Sequence, residues 1–228
     1  MKKIALIVAM DTERDALLAV LEGLQEERSA DGLVFYVGHL GGASVEVIVA
    51  QSGIGKVNAA MCATVLIDRY RPDALINTGV AGGCGPNVHP MDVVVARRCV
   101  YHDVWCGEPN LYGQVQGYPL YFPAAPRLLD RAVALGARPV LICTGDIFAQ
   151  KDDVARILQK FPECEAVDME SASFAQVCHR RGVPFLSLRV ISDSADGEEN
   201  FGQYENFWEM APRATFRVVR SLLEGLSA

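Results

Sequence analysis

No apolar run in the chain approaches the ~20 consecutive residues of a bilayer-crossing helix, so the sequence predicts a protein that does not span a membrane. Positive charge is scarce: 21 Lys and Arg stand against 28 Asp and Glu, giving a net charge of −7 and a pI of about 5.1. That balance lacks the basic footprint of a partner for nucleic acid or an anionic membrane surface and points to a small-molecule ligand. The seven cysteines (Cys62, Cys84, Cys99, Cys106, Cys143, Cys164, Cys178) are odd in number, form no CxxC pair and sit partly inside apolar runs. They read as reduced packing residues of a cytoplasmic protein. His39, His89, His102 and His179 are scattered without i, i+4 spacing, and no metal site is expected. A secretion signal is not expected either: Lys2 and Lys3 precede Ile4 to Met10, but Asp11, Glu13, Arg14 and Asp15 follow with no small-residue cleavage site. Without linker, repeat or low-complexity segment, a single domain over residues 1–228 is expected.

What is present is an alternation. Half of the residues are hydrophobic, enough for one sizeable core. β-Branched apolar runs predict strands at Ile4 to Ala9, Val34 to Gly38, Val45 to Ala50, Ala74 to Thr78, Val93 to Ala96, Val140 to Cys143, Glu165 to Asp168 and Phe185 to Ile191. Helical periodicity covers Asp15 to Glu27, Gly55 to Tyr70, Arg127 to Leu135, Asp152 to Phe161, Glu170 to Arg181 and Tyr204 to Leu226. The order predicts an α/β protein with a largely parallel sheet. A Gly41-Gly42 turn between two adjacent strands reads as an inserted hairpin, which fits a pure Rossmann topology poorly. Pro212 predicts a kink or a late helix start in the last helical segment. There is no GxGxxG after the first strand, and Ser52-Gly53-Ile54-Gly55-Lys56 lacks P-loop spacing and reads as a tight turn into a helix.

Ligands of open α/β sheets bind beyond the carboxyl ends of the strands. Five such exits carry informative residues: Met10-Asp11-Thr12-Glu13, Gly79-Val80-Ala81-Gly82-Gly83, Thr144-Gly145-Asp146-Ile147-Phe148, Asp168-Met169-Glu170 and Ser192-Asp193. Acids recur there, while no Ser-His-Asp or Cys-His arrangement does, which favours acid/base chemistry without a covalent nucleophile. Each acid has a plainer explanation. Glu13 could serve as a first-turn helix charge, Asp168 and Glu170 as solvated charges, and Asp193 as a cap; their shared location favours the functional reading. Asp146 after Gly145 reads as an Asx-turn residue and stays outside the catalytic set.

Ile7-Val8-Ala9-Met10-Asp11-Thr12-Glu13, Ser52-Gly53-Ile54-Gly55-Lys56-Val57, Asn77-Thr78-Gly79-Val80-Ala81-Gly82-Gly83, Val167-Asp168-Met169-Glu170 and Arg189-Val190-Ile191-Ser192-Asp193 occur in this order over nearly the whole chain. In these motifs the sequence resembles bacterial 5'-methylthioadenosine/S-adenosylhomocysteine nucleosidases. The resemblance implies a single-domain nucleoside phosphorylase-like α/β fold, a central mixed sheet flanked by helices, and hydrolysis of the bond between adenine and a 5'-thio-ribose without metal or organic cofactor. By the same resemblance Asp193 protonates the purine N7, Glu13 activates water, Glu170 with the Met169 backbone holds the ribose hydroxyls, and Arg189 holds the water. Phe148 and the backbone of Ala149 take the adenine, and Tyr204 covers the substrate, with one inserted residue nearby. Val80 stands where the family usually has Ser. The segment after Tyr101-His102-Asp103 departs from the family as Val104-Trp105-Cys106-Gly107. There Trp105 is expected either as a lid or interface residue, completing the 5'-pocket of a neighbouring subunit in a homodimer, or as plain packing.

Alternatives remain at this level. A hydrolase of another purine nucleoside such as futalosine or aminofutalosine would keep the three acids. A purine nucleoside phosphorylase would need an anion clamp of arginines, and Glu13, Asn77 and Val80 do not supply one. A catalytically inactive nucleoside-binding module would have no use for Glu13, Glu170 and Asp193.

Overall fold

The computed structural model describes residues 1–40, 45–197, 199–210 and 212–226. Ten strands and seven helices are found among the described residues: β1 (Lys3–Val8), α1 (Asp11–Leu18), β2 (Leu21–Arg28), β3 (Val34–Leu40), β4 (Glu46–Gln51), α2 (Lys56–Tyr70), β5 (Ala74–Gly83), β6 (Val93–Tyr101), β7 (Phe122–Pro123), α3 (Pro126–Ala134), β8 (Arg138–Thr144), α4 (Lys151–Lys160), β9 (Cys164–Asp168), α5 (Ser171–Arg181), β10 (Phe185–Ser194), α6 (Asn200–Met210) and α7 (Pro212–Leu226).

The α/β class and the mixed sheet match expectation. The largely parallel sheet does not: five of the ten strand pairings are antiparallel. The sheet runs β2-β3-β4-β1-β5 and then divides. β5 pairs with β10 along most of its length and with β9 only at Gly82 and Gly83, while β9-β8-β6 leads back to β10 and closes a ring of five strands. In β1, Ala5 and Ile7 join a core roofed by α2 and α5, and Ile4, Leu6 and Val8 join one covered by α1, α3 and α7. Burial on both faces explains why the strand is apolar throughout rather than alternating.

One segment departs from its helical periodicity. Leu17, Val20, Leu21 and Leu24 have helical spacing, yet α1 ends at Leu18 and β2 begins at Leu21. Gly23 takes φ +65°, outside helical geometry, and the β2–β3 register shifts between Glu22 and Gln25, so the segment forms a bulged edge strand. The last helical segment divides at Pro212, which begins α7, as its missing N–H allows at a helix start. The Gly41-Gly42 turn lies outside the described residues, although β3 and β4 pair antiparallel as a hairpin requires.

Phe174 of α5 is fully buried. Phe174→Ala is expected to destabilise the fold by about 3–5 kcal/mol, from lost transfer energy plus the cavity left behind; a urea titration should show the midpoint falling with little change in slope.

Candidate active site

The site arises where β5 leaves β1. The two strands pair only as far as Ile7 and Asn77, and β5 continues toward β9. The backbone N–H groups exposed by that parting would be costly if buried without acceptors. Glu13 supplies the acceptors. Its Oε2 receives Ala9 N–H at 2.9 Å and Met10 N–H at 3.0 Å, and its Oε1 receives Val80 N–H at 3.2 Å. Reaching back to Met10, the residue before α1, Glu13 also makes half of a capping box, so the helix-charge role and the cavity role belong to one side chain. Glu13 is 1% exposed. Burial raises its proton affinity above the usual carboxylate range, against the pull of Arg189 and the three N–H donors. Gly79 (φ +146°) makes the approach possible, since a Cβ there would lie 2.3 Å from Glu13 Oε1 and 2.9 Å from Arg189 Nη1.

Arg189 lies in the middle of β10 and is fully buried. Its Nη2 donates to Asn77 Oδ1 at 2.5 Å, Asp168 Oδ2 at 2.6 Å and Ser171 Oγ at 3.2 Å, and lies 3.6 Å from Glu170 Oε2. Asp168 is therefore an ion-pair partner and not a solvated strand-end charge; Thr144 and Ser171 donate to it as well. Glu170, at the start of α5, accepts Gly55 N–H at 2.9 Å. The tight turn at Ser52 to Gly55 thus positions a carboxylate. Burial, with Asp168 adding to it against the pull of Arg189, pushes Glu170 up to about 7.

Asp193 sits past a register shift in β10, 2% exposed. Ser192 Oγ donates to it at 2.6 Å, yet burial leaves its carboxyl more easily protonated than an ordinary aspartate. A cavity of ≈430 Å³ joins these groups and is mostly lined by apolar side chains. Nine of the ten residues singled out in the sequence line it: Glu13, Val80, Phe148, Ala149, Met169, Glu170, Arg189, Asp193 and Tyr204. Phe148 packs edge-on against Phe201 and Tyr204, with ring centroids 5.8 and 5.5 Å apart, and the Tyr204 hydroxyl donates to Met10 Sδ at 3.3 Å. Trp105 does not line the cavity and is 64% exposed. Asp146 accepts Lys56 N–H at 2.8 Å and so fastens the start of α2.

Residues 3–224 match the family model of the phosphorylase superfamily. The chain is 42% identical, over 99% of its length and 98% of the relative's, to the 5'-methylthioadenosine/S-adenosylhomocysteine nucleosidase of Chromohalobacter salexigens. The chain belongs to this nucleosidase family. The S-adenosylhomocysteine nucleosidase of Streptococcus pyogenes, solved with 5-methylthiotubericidin, superposes with a TM-score of 0.94 at 34% identity, covering 100% of this chain and 98% of that one. The Neisseria meningitidis nucleosidase with methylthio-immucillin-A gives 0.93 at 33%, covering 99% and 100%.

The cavity is also lined by Asp168, Met10, Ile54 and Phe201, which the sequence motifs do not mark as site residues. Val80 gives the cavity an apolar wall and packs against the cluster of Val190 and Phe207.

A carboxyl raised from 4.5 to about 7 holds its proton more tightly in the folded than in the unfolded chain, so stability falls as pH rises through that interval. Glu170→Gln keeps an acceptor for Gly55 and removes the titration. Differential scanning fluorimetry between pH 5 and pH 8 should show the wild-type melting temperature dropping more steeply than that of the variant; equal slopes would exclude Glu170 as the source.

Proposed function

We propose that the protein hydrolyses the N-glycosidic bond of 5'-methylthioadenosine and/or S-adenosylhomocysteine, releasing adenine and the thio-ribose, in the cytoplasm. The observation that carries this reading is the convergence of Glu13, Glu170 and Asp193, all buried, with Arg189 on one apolar cavity in a chain of the nucleosidase family. Breaking the bond leaves positive charge on the ribose and negative charge on the purine, so the site needs an acid at one end and a base at the other.

Asp193 is the acid. This carboxyl, whose proton affinity burial raises, delivers its proton to the purine N7 as the C1'–N9 electron pair moves onto the base. Glu13 is the base. Its oxygens are fixed by three backbone donors, and it takes a proton from the water whose oxygen bonds to C1'. Arg189, held by Asp168 and Asn77, orients that water; its buried Nε has no acceptor among the described protein groups. Glu170 accepts from the ribose 2' and 3' hydroxyls beside the Met169 backbone, and its charge stabilises the cationic sugar. Phe148 and Tyr204 enclose the base, and backbone groups of Ala149 read its edge.

The active species in this reading is a homodimer. α2 leaves Val57 and Met61 exposed one turn apart, and Trp105 is exposed and does not line its own cavity. An aromatic on that segment of a second copy would close the end of the pocket that takes the alkylthio group, which explains an exposed Trp better than packing within one subunit.

Chromatography of the products should show free adenine from methylthioadenosine at the same rate with and without phosphate; phosphate dependence would convert the reading to phosphorolysis. Asp193→Asn should lower turnover ~100-fold or more and lower it far less on a nitrophenyl riboside, whose leaving group needs no proton. Glu13→Gln should abolish hydrolysis while calorimetry finds affinity for a tight nucleoside analogue within about tenfold of wild type; loss of binding as well would assign Glu13 to the ligand or the fold. Trp105→Ala should raise KM for methylthioadenosine more than for adenosine, which lacks the alkylthio tail. Equal effects, or a fully active monomer in sedimentation, would refute the shared pocket.

A further inference from the structure

The first turn of α6 fastens onto the acid end of the cavity through two amides. Gln203 Oε1 accepts Ser194 N–H at 2.9 Å. Asn200, 4% exposed, donates from Nδ2 to the Ala149 carbonyl oxygen at 3.0 Å, and its amide lies close enough to the Asp193 carboxyl to hold that group's proton affinity down. Asn200 does not line the cavity; it stands behind it, and its neighbour Phe201 forms part of the wall. The two groups it meets are both acceptors, and an ionised carboxylate and a carbonyl placed side by side repel each other. A primary amide carries two N–H donors on one nitrogen and so can serve both.

We infer that Asn200 is a positioning residue that sets the proton donor and the base-reading backbone as one unit, its amide bridging the Asp193 carboxyl to the Ala149 carbonyl from the first turn of α6. This deepens the functional reading above and rests on it. A purine edge seated on Ala149 then finds the Asp193 proton already aimed at it. Donation to the charged form of Asp193 also opposes the upward push of burial. The other ionisable groups around Asp193 are Glu13 from α1, Glu170 at the start of α5 and Arg189 on β10, all lining the cavity, with the Cys84 thiol just past β5, Asp196 in the turn after β10 and Glu199 beside Asn200. None of these is removed by a change at position 200.

The test is the pH dependence of kcat/KM for methylthioadenosine, whose alkaline limb follows the acid of the free enzyme, together with adenine affinity by calorimetry. Asn200→Ala removes a donor to the carboxylate, so the limb should move to higher pH by roughly half to one unit, with adenine bound several-fold more weakly. Asn200→Asp is the sharper variant. Asp suits a helix start as well as Asn does, but here it sets an acceptor against both partners, so the limb should move further than with Ala. A residue that merely starts α6 gives the opposite pattern. Wild-type behaviour from Asn200→Asp, or an unmoved limb in both variants accompanied only by a lower melting temperature, overturns the inference. Wild-type protein that releases no adenine overturns the functional reading itself, a result separable from an unmoved limb in an active enzyme.

Discussion

A guanidinium almost wholly withdrawn from solvent sets the terms for the rest of this molecule. Removing an ion of that kind from water costs several kcal/mol even after relaxation, and Arg189 is held where it is only because acceptors surround it: Asp168 in a direct ion pair, Asn77 and Ser171 by hydrogen bonds, Glu170 slightly farther away. The dependence runs both ways. Glu13 and Glu170 are buried carboxyls that burial drives toward protonation, and the same guanidinium is the charge that opposes that drive in each. Loss of Arg189 would therefore alter the ionisation of both carboxyls at once.

The fold makes room for that set by interrupting its own hydrogen bonding. A strand that paired with β1 along its full length would leave no opening. β5 instead hands over from β1 to β9, and the N–H groups released between them are satisfied by a side chain, Glu13, rather than by another strand. The Glu13 carboxylate thereby closes a gap in the ladder, and Gly79 keeps its approach clear.

How much of this was legible in the sequence depends on the range of the interactions involved. Strands buried on both faces and helices with one apolar stripe announce themselves locally, and α2, α3, α4 and α5 begin and end within about a residue of the periodic segments, inside the usual ambiguity of helix ends. β2 was missed because Leu17, Val20, Leu21 and Leu24 satisfy the helical period, while the pairing with β3 that overrides it is a contact between distant parts of the chain. β5 and β10 run through residues read as loops, since glycines and a serine-aspartate pair look like strand exits until a neighbouring strand accepts them. In the site, the acids were visible as a recurrent type at recurrent positions. Asn200 was invisible: an asparagine at a helix start is so common that only the Ala149 carbonyl it donates to and the carboxyl beside it in space distinguish it.

The bulged strand at the end of the sheet has a colloidal consequence. Among the described residues β2 pairs with β3 alone, and its exposed residues include Glu22 and Glu26. An unpaired strand is a template for further strands, the route by which folded proteins stack into fibrils. Here a second copy arriving in register would bring glutamates against glutamates, and the kink at Gly23 would spoil the straight run of backbone donors that stacking needs. The sheet is protected from growing at that edge.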